Sequence, residues 1–308
     1  MSEDSGSRED VLDEIRRTLA RYEARRTGPE PPTLPTSPSP AAKAAEEEAP
    51  AVVEGAPSIA PQIEIPPPSL VETGIPGLDA ILGGGLPDHS LILVLGEPGS
   101  HYNTFVSQVL YNYVYEGGKV AYYVAETLNT DIMQDMSHFG WDLKEYLNRG
   151  SWVFVNLRTS DLQELAALSP RVFSQGFTIS LTRGLNSLKT DLLTKIKEDR
   201  WTVLELSHIL HHFNLDEVMS LILYWRMAMR LYGGLHFAVL PLGVHPENVL
   251  NALKHLADGV LEFRLREAPR AFDTLMIVQK LRGFRRPLLI AFTVEEDGIV
   301  IETAARIA

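Results

Sequence analysis

The sequence predicts an α/β domain with a mostly parallel central sheet, helices packed on it, and antiparallel strands at its C-terminal end. From residue 69 onward, apolar runs of four to seven residues alternate with stretches of helical period, the pattern of strands and helices wound in turn about one sheet. One run, Leu91-Ile92-Leu93-Val94-Leu95, is apolar throughout, as a buried strand should be. Hydrophobic residues make up 45% of the 308, ample side chain for a buried core.

The first element lies ahead of that body. Val11, Leu12, Ile15, Leu19 and Tyr22 fall three and four apart, with Arg16, Arg17, Glu23 and Arg25 on the opposite side, which predicts an amphipathic helix within residues 1–28. It reads either as a frayed end or as a tethered peptide that docks a protein partner. Residues 29–68 hold 12 of the 20 prolines, so main-chain donors and apolar side chains are both scarce and a disordered linker is expected. Residues 1–68 carry 13 acidic and 7 basic side chains, half of the net charge of -12. In the body, 69–308, strands are expected at 91–95, 120–125, 152–157, 202–206, 236–241, 259–265, 273–281 and 288–294, with helices between them. The segment Val218–Tyr232 is apolar on nearly every side apart from Arg226 and Arg230, which predicts a helix buried against the sheet.

Composition removes several chemistries. Without cysteine there is no disulfide framework, thiolate zinc site or cysteine nucleophile. No apolar run approaches the roughly 18 to 20 residues of a membrane span, and the polar start is no signal peptide, so a soluble, cytoplasmic protein is expected.

The segment Gly96-Glu97-Pro98-Gly99-Ser100-His101-Tyr102-Asn103-Thr104 follows a buried strand and opens a helix, the setting of a G-x-x-x-x-G-K-[ST] phosphate loop. His101 stands at the second glycine position, where its Cβ disfavours the backbone conformations glycine supplies. Tyr102 stands at the lysine position and offers a neutral phenol in place of a cation. Asn103 replaces the hydroxyl that would hold Mg²⁺, and Thr104 is turned about 100° further round the helix.

More than the loop carries a resemblance. Thr73-Gly74-Ile75-Pro76-Gly77-Leu78-Asp79, Gly83-Gly84-Gly85-Leu86-Pro87, Phe139-Gly140-Trp141-Asp142-Leu143, Ala257-Asp258-Gly259-Val260, Lys280-Leu281-Arg282-Gly283 and Gly298-Ile299-Val300-Ile301 occur in one order along the chain. Together they resemble the KaiC-like family of the RecA superfamily, from about Leu70 to the C-terminus. That resemblance implies a RecA-like P-loop NTPase core. It also places a water-activating carboxylate at Glu126, a metal-supporting carboxylate at Glu205, and at Lys280 and Arg282 a pair that reaches a neighbouring subunit's γ-phosphate. On a strand the last two would share a face and reach one anion together; the alternative is a solvated basic edge.

The loop substitutions predict that no cofactor is held, with ATP and Mg²⁺ as the alternative. The expected function is a KaiC-like pseudo-ATPase, a regulatory or structural subunit of a homo-oligomer or of a hetero-oligomer with an active KaiC-like relative. The alternatives are a divergent ATP-binding ATPase and a recombinase-like paralogue that binds DNA. An acidic body without a broad basic stripe weighs against nucleic acid. His208, His211 and His212 lack the glutamate of an H-E-x-x-H pair and predict no metal. Tyr111, Tyr113 and Tyr115 read as helix packing residues.

Overall fold

The computed structural model describes residues 69–159, 176–267 and 272–301. The expected N-terminal helix and proline-rich linker lie outside the described residues. In chain order the elements are β1 (Leu70–Val71), α1 (Leu78–Ile81), β2 (Leu86–Pro87), β3 (Ser90–Gly96), α2 (Tyr102–Tyr115), β4 (Lys119–Val124), α3 (Asn129–His138), α4 (Lys144–Arg149), β5 (Trp152–Arg158) and β6 (Phe177–Ser180). They continue with α5 (Asn186–Lys197), β7 (Arg200–Glu205), α6 (Ser207–His212), α7 (Leu215–Tyr232), β8 (Leu235–Pro241), α8 (Glu247–Leu256), β9 (Gly259–Glu267), β10 (Phe272–Leu281), β11 (Leu288–Glu295) and β12 (Gly298–Ile301).

Ten strands form one sheet in the order β12-β11-β10-β9-β3-β8-β7-β4-β5-β6. From β9 to β6 every pairing is parallel, and from β9 to β12 every pairing is antiparallel, as the sequence predicts. Strand β3 is buried along its whole length. Its Ile92 and Val94 join one apolar layer with Phe105, Val109 and Leu110 of α2, while Leu91, Leu93 and Leu95 join another with residues of α5, α7 and α8. Period-two alternation thus sends one strand's side chains into two cores.

Two features were not anticipated. The short ribbon of β1 and β2 pairs Leu70 with Pro87 and Val71 with Leu86, and β6 adds a parallel edge to β5. Helix α7 corrects an expectation. It buries Val218, Leu221, Ile222, Trp225 and Met229, but Met227 is 62% exposed and Leu231 72%. The sheet covers one side of a 3.6-residue period, so apolar residues on the far side stay in solvent whatever the composition. An Asn214–Glu217 capping box starts this helix.

Asp258, between α8 and β9, ties these layers together. Its buried carboxylate accepts from the Leu91 amide at 3.1 Å and from Arg226 Nη2 at 3.2 Å, and also from Arg230 Nη2. The Asp258 amide returns a bond to the Leu91 carbonyl at 2.9 Å. One side chain therefore joins the start of β3, the start of β9 and the α7 guanidinium pair. Removing it would leave the buried Leu91 amide and two part-exposed guanidinium groups without their acceptor. Asp258→Ala is expected to lower unfolding stability by about 3 kcal/mol in urea titration, and Asp258→Asn by less because one acceptor oxygen remains.

Candidate functional site

The C-terminal ends of β3, β4 and β7 lie on one edge of the sheet, where parallel α/β folds hold their ligands. Three of the positions singled out by sequence converge there: the loop after β3, Glu126 after β4, and Glu205 ending β7.

Internal bonds fix the loop. The Glu97 amide donates to the Phe263 carbonyl at 3.1 Å, and the Glu97 carboxylate accepts from the Leu265 amide at 2.9 Å and from Arg264 Nη1 at 2.8 Å. The Leu265 amide, assisted by Arg264, holds this carboxyl below its ordinary pKa. Arg264 is also bound to Glu262 at 2.6 Å. Ser100 donates from both its amide, at 3.0 Å, and its Oγ, at 2.7 Å, to the Glu97 carbonyl. Pro98 and Gly99 make the tip, with Gly99 at φ 82°. His101 also lies in the left-handed region, at φ 59° and ψ 23°. The sequence treated that conformation as disfavoured for histidine, and the chain adopts it regardless, at a cost of roughly 1 to 2 kcal/mol.

The next residue changes the chemistry. The Tyr102 ring folds back over Gly96 so closely that a Cβ at Gly96 would overlap it. Burial raises the phenol's pKa; an Asn103 side-chain hydrogen bond opposes the shift and the charges of Glu205 and Glu126 add to it. Tyr102 is therefore a neutral group facing carboxylates.

Glu205 accepts from the Ala125 amide at 3.3 Å, from the Thr127 hydroxyl and from the Glu126 amide. Burial nevertheless pushes its carboxyl up to about 7, opposed by those bonds and reinforced by Glu126. Glu126 itself is half exposed and turned toward α6, with Oε1 at 3.8 Å from Nδ1 of both His208 and His211. It does not line the cavity described below.

Lys280 and Arg282 are both engaged by main-chain carbonyls of their own chain. A register shift lies between Val278 and Lys280, ahead of both residues, and Arg282 falls one residue beyond the end of β10. Lys280 Nζ donates to the Ala257 carbonyl at 2.6 Å and to those of His255 and Lys254 at 3.2 and 3.3 Å, closing the C-terminal end of α8. Arg282 Nη2 donates to the Asp88 carbonyl. Lys280 is in register, through Val260, with Leu93, about 10 Å along β3 from Gly96, and its ammonium turns back to Ala257, while Arg282 reaches Asp88 ahead of β3.

The histidines of α6 pack locally: His208 and His212 rings lie 4.2 Å apart, and His208 Nε2 is 3.1 Å from Thr159 Oγ1. Among the described residues no group of three potential ligands could hold a metal ion. Tyr113 stacks on Trp201 at 3.6 Å, and Tyr111 packs against Trp141 and Tyr146. Among the described residues no helix is long and apolar enough to cross a membrane.

Beside the loop opens a cavity of about 390 Å³, lined by His101, Asn103 and Thr104 on one side and Ile132, Met136 and Trp141 on another, with Glu205, Thr127 and Tyr122 also contributing. Sequence reasoning missed this wall. Its signal was the i, i+4 pair Ile132 and Met136 running into Phe139 and Trp141, but helical spacing does not say that a helix leaves a gap.

Comparison with known proteins agrees with this architecture. The family model described as "ATPase: KaiC" matches residues 71–306. A UPF0273 protein of Aeropyrum pernix is 27% identical over 247 residues, covering 75% of this chain and 92% of that protein. A KaiC-like protein from Pyrococcus horikoshii superposes with TM-score 0.57 at 20% identity, over 77% of this chain and 100% of that one. The flagellar accessory protein FlaH from Methanocaldococcus jannaschii gives TM-score 0.55 at 17% identity, over 74% and 95%.

Glu205 generates a pH prediction. Its folded pKa is raised above its ordinary value of 4.5, so its contribution to stability is whole below about 4.5 and is lost as pH rises through about 7. Glu205→Gln cannot ionise. Urea titrations are expected to show the variant gaining on the native chain by on the order of 2 kcal/mol between about pH 5 and pH 8. A constant difference across that range would refute the raised value.

Proposed function

The chain belongs to the KaiC family of RecA-like ATPases, and from that membership we propose that it is a pseudo-ATPase, a regulatory or structural subunit of an oligomeric assembly in which ATP hydrolysis is lost or severely impaired. The observation that carries this reading is Tyr102, whose neutral ring lies on Gly96 where a phosphate-binding loop needs a cation.

Other features support it. The Ser100 amide is committed to the Glu97 carbonyl and so is not offered to a phosphate. Arg264, the nearest guanidinium to the loop, is engaged by Glu97 and Glu262. Glu205, at the metal-supporting position, is half protonated near neutrality, and Asn103 brings no hydroxyl. These residues do not fit a magnesium-bound triphosphate. A charged hydrogen bond is worth roughly 1.5 to 3 kcal/mol, so the missing lysine alone weakens binding on the order of 10 to 100-fold. Loss of a cation aimed at developing charge slows the reaction by about a further 10² to 10³.

One observation favours the alternative of a divergent ATPase. His101 adopts a left-handed backbone at the N-cap, so the loop still leads directly into a helix N-terminus, a setting that favours anions. Calorimetric titration with ATP and Mg²⁺ separates the readings. No saturation at millimolar ATP is expected, and a hydrolysis rate at background that Glu126→Gln leaves unchanged. Micromolar affinity, or turnover abolished by that substitution, would establish the divergent enzyme instead.

Assembly is the other half of the proposal. Because the Lys280 ammonium and the Arg282 guanidinium are turned to the Ala257 and Asp88 carbonyls, away from their own loop, any loop the pair reaches would belong to another subunit. Their bonds within the chain also contribute to its stability, so the double substitution must be read on two scales. Lys280→Ala with Arg282→Ala is expected to shift light-scattering mass toward the single chain at a temperature where circular dichroism shows the fold intact. An unchanged assembly would remove the pair from the interface.

A further inference from the structure

The cavity beside the loop has a charge pattern of its own. Its lining contains two carboxyl groups, Asp135 and Glu205, two imidazoles, His101 and His138, and no lysine or arginine. Burial keeps the His101 imidazole below its ordinary pKa, against the charged form. Three aromatic residues, Tyr122, Phe139 and Trp141, form part of the wall, with the Phe139 and Trp141 rings stacked at 4.7 Å. Ile132 and Met136 complete an apolar surface. Carboxylates combined with aromatic rings and no competing cation are what a desolvated ammonium needs: the rings supply quadrupole attraction and the carboxylates supply net charge. The same lining repels phosphate.

We propose that this cavity binds a small organic cation, a quaternary or protonated amine, through the carboxylates of Asp135 and Glu205 and the rings of Tyr122, Phe139 and Trp141. A cavity of about 390 Å³ falls within the range of small-molecule sites. The two carboxylates differ in depth, with Asp135 exposed at the mouth and Glu205 set between the ends of β4 and β7. Asp135 serves long-range attraction, and Glu205 serves contact after water has left. An arriving cation also offsets the desolvation that keeps Glu205 partly protonated, so binding and ionisation of Glu205 favour each other.

The site goes beyond the pseudo-ATPase reading and does not require it. Isothermal calorimetry on the full chain at about pH 8, above the ordinary imidazole range, tests it with choline and with 3,3-dimethylbutan-1-ol, which has the same shape with carbon in place of nitrogen. Choline is expected to saturate the protein, and the alcohol to bind at least about tenfold more weakly. Asp135→Asn, on an exposed helix position that leaves the fold intact, is expected to weaken choline several-fold, and Glu205→Gln to weaken it further. Equal binding of the alcohol would make the cavity merely apolar and overturn the proposal. So would the absence of choline heats at tens of millimolar, or an affinity untouched by both substitutions. ATP turnover would sink the pseudo-ATPase reading alone, because choline selectivity is measured without nucleotide.

Discussion

Strand β3 has hydrogen-bonded neighbours on both sides and apolar layers over both faces, so neither its direction nor its register can drift. A one-residue slip would send Ile92 and Val94 into the layer now filled by Leu91, Leu93 and Leu95. Asp258 fixes its beginning, and the Leu242 amide bonded to the Gly96 carbonyl at 2.8 Å fixes its end. The loop and the N-terminus of α2 are therefore delivered to one place by packing that involves no ligand. A scaffold of this kind can outlast the chemistry for which its loop is suited.

That separation explains how the loop tolerates its substitutions. Its shape rests on the Glu97 carboxylate held by Leu265 and Arg264, on Ser100 turned back to the Glu97 carbonyl, and on His101 accepting a left-handed backbone. None of these needs a phosphate. The electrostatic character of the place has changed more than its geometry. With the Arg264 charge consumed by Glu97 and Glu262, the groups left facing Tyr102 are the carboxyls of Glu205 and Glu126. Burial is the main cause that raises both the phenol's pKa and that of Glu205, and the neighbouring carboxylates that add to it are charges an incoming triphosphate would also meet.

Much of the fold was legible because parallel strands buried on both faces leave continuous apolar runs, and all eight expected strands form within a few residues of their expected bounds. The ribbon of Leu70–Val71 with Leu86–Pro87 was not, since two residues carry no period. Strand β6 was missed for a similar reason: Phe177 and Thr178 are exposed at a sheet edge, where apolar patterning is not required. The far side of α7 misled, because composition cannot say which half of a helix the sheet reaches. At the site, the identity of the loop residues was legible and their consequences were partly so. A neutral phenol at the lysine position follows from sequence, whereas Tyr102 lying on Gly96 and the carboxyl of Glu205 rising to about 7 depend on burial. The carbonyls of Ala257 and Asp88 that hold Lys280 and Arg282 were not legible, because only the folded chain brings them near.

The proposed loss of phosphate chemistry and the proposed cation site rest on a single constraint. A phosphate loop needs uncompensated positive potential at the C-terminal edge of the sheet, and every carboxyl placed there must be answered by a cation or a metal. In this chain Glu97 is answered by Arg264 and Leu265, but Asp135 and Glu205 are answered by no lysine or arginine of the cavity lining. Part of the imbalance is relieved by protonating Glu205, which costs nothing in charge but leaves a carboxyl poised to ionise when a cation arrives. On the proposed reading, the edge that would hold a triphosphate in a working loop favours the opposite sign.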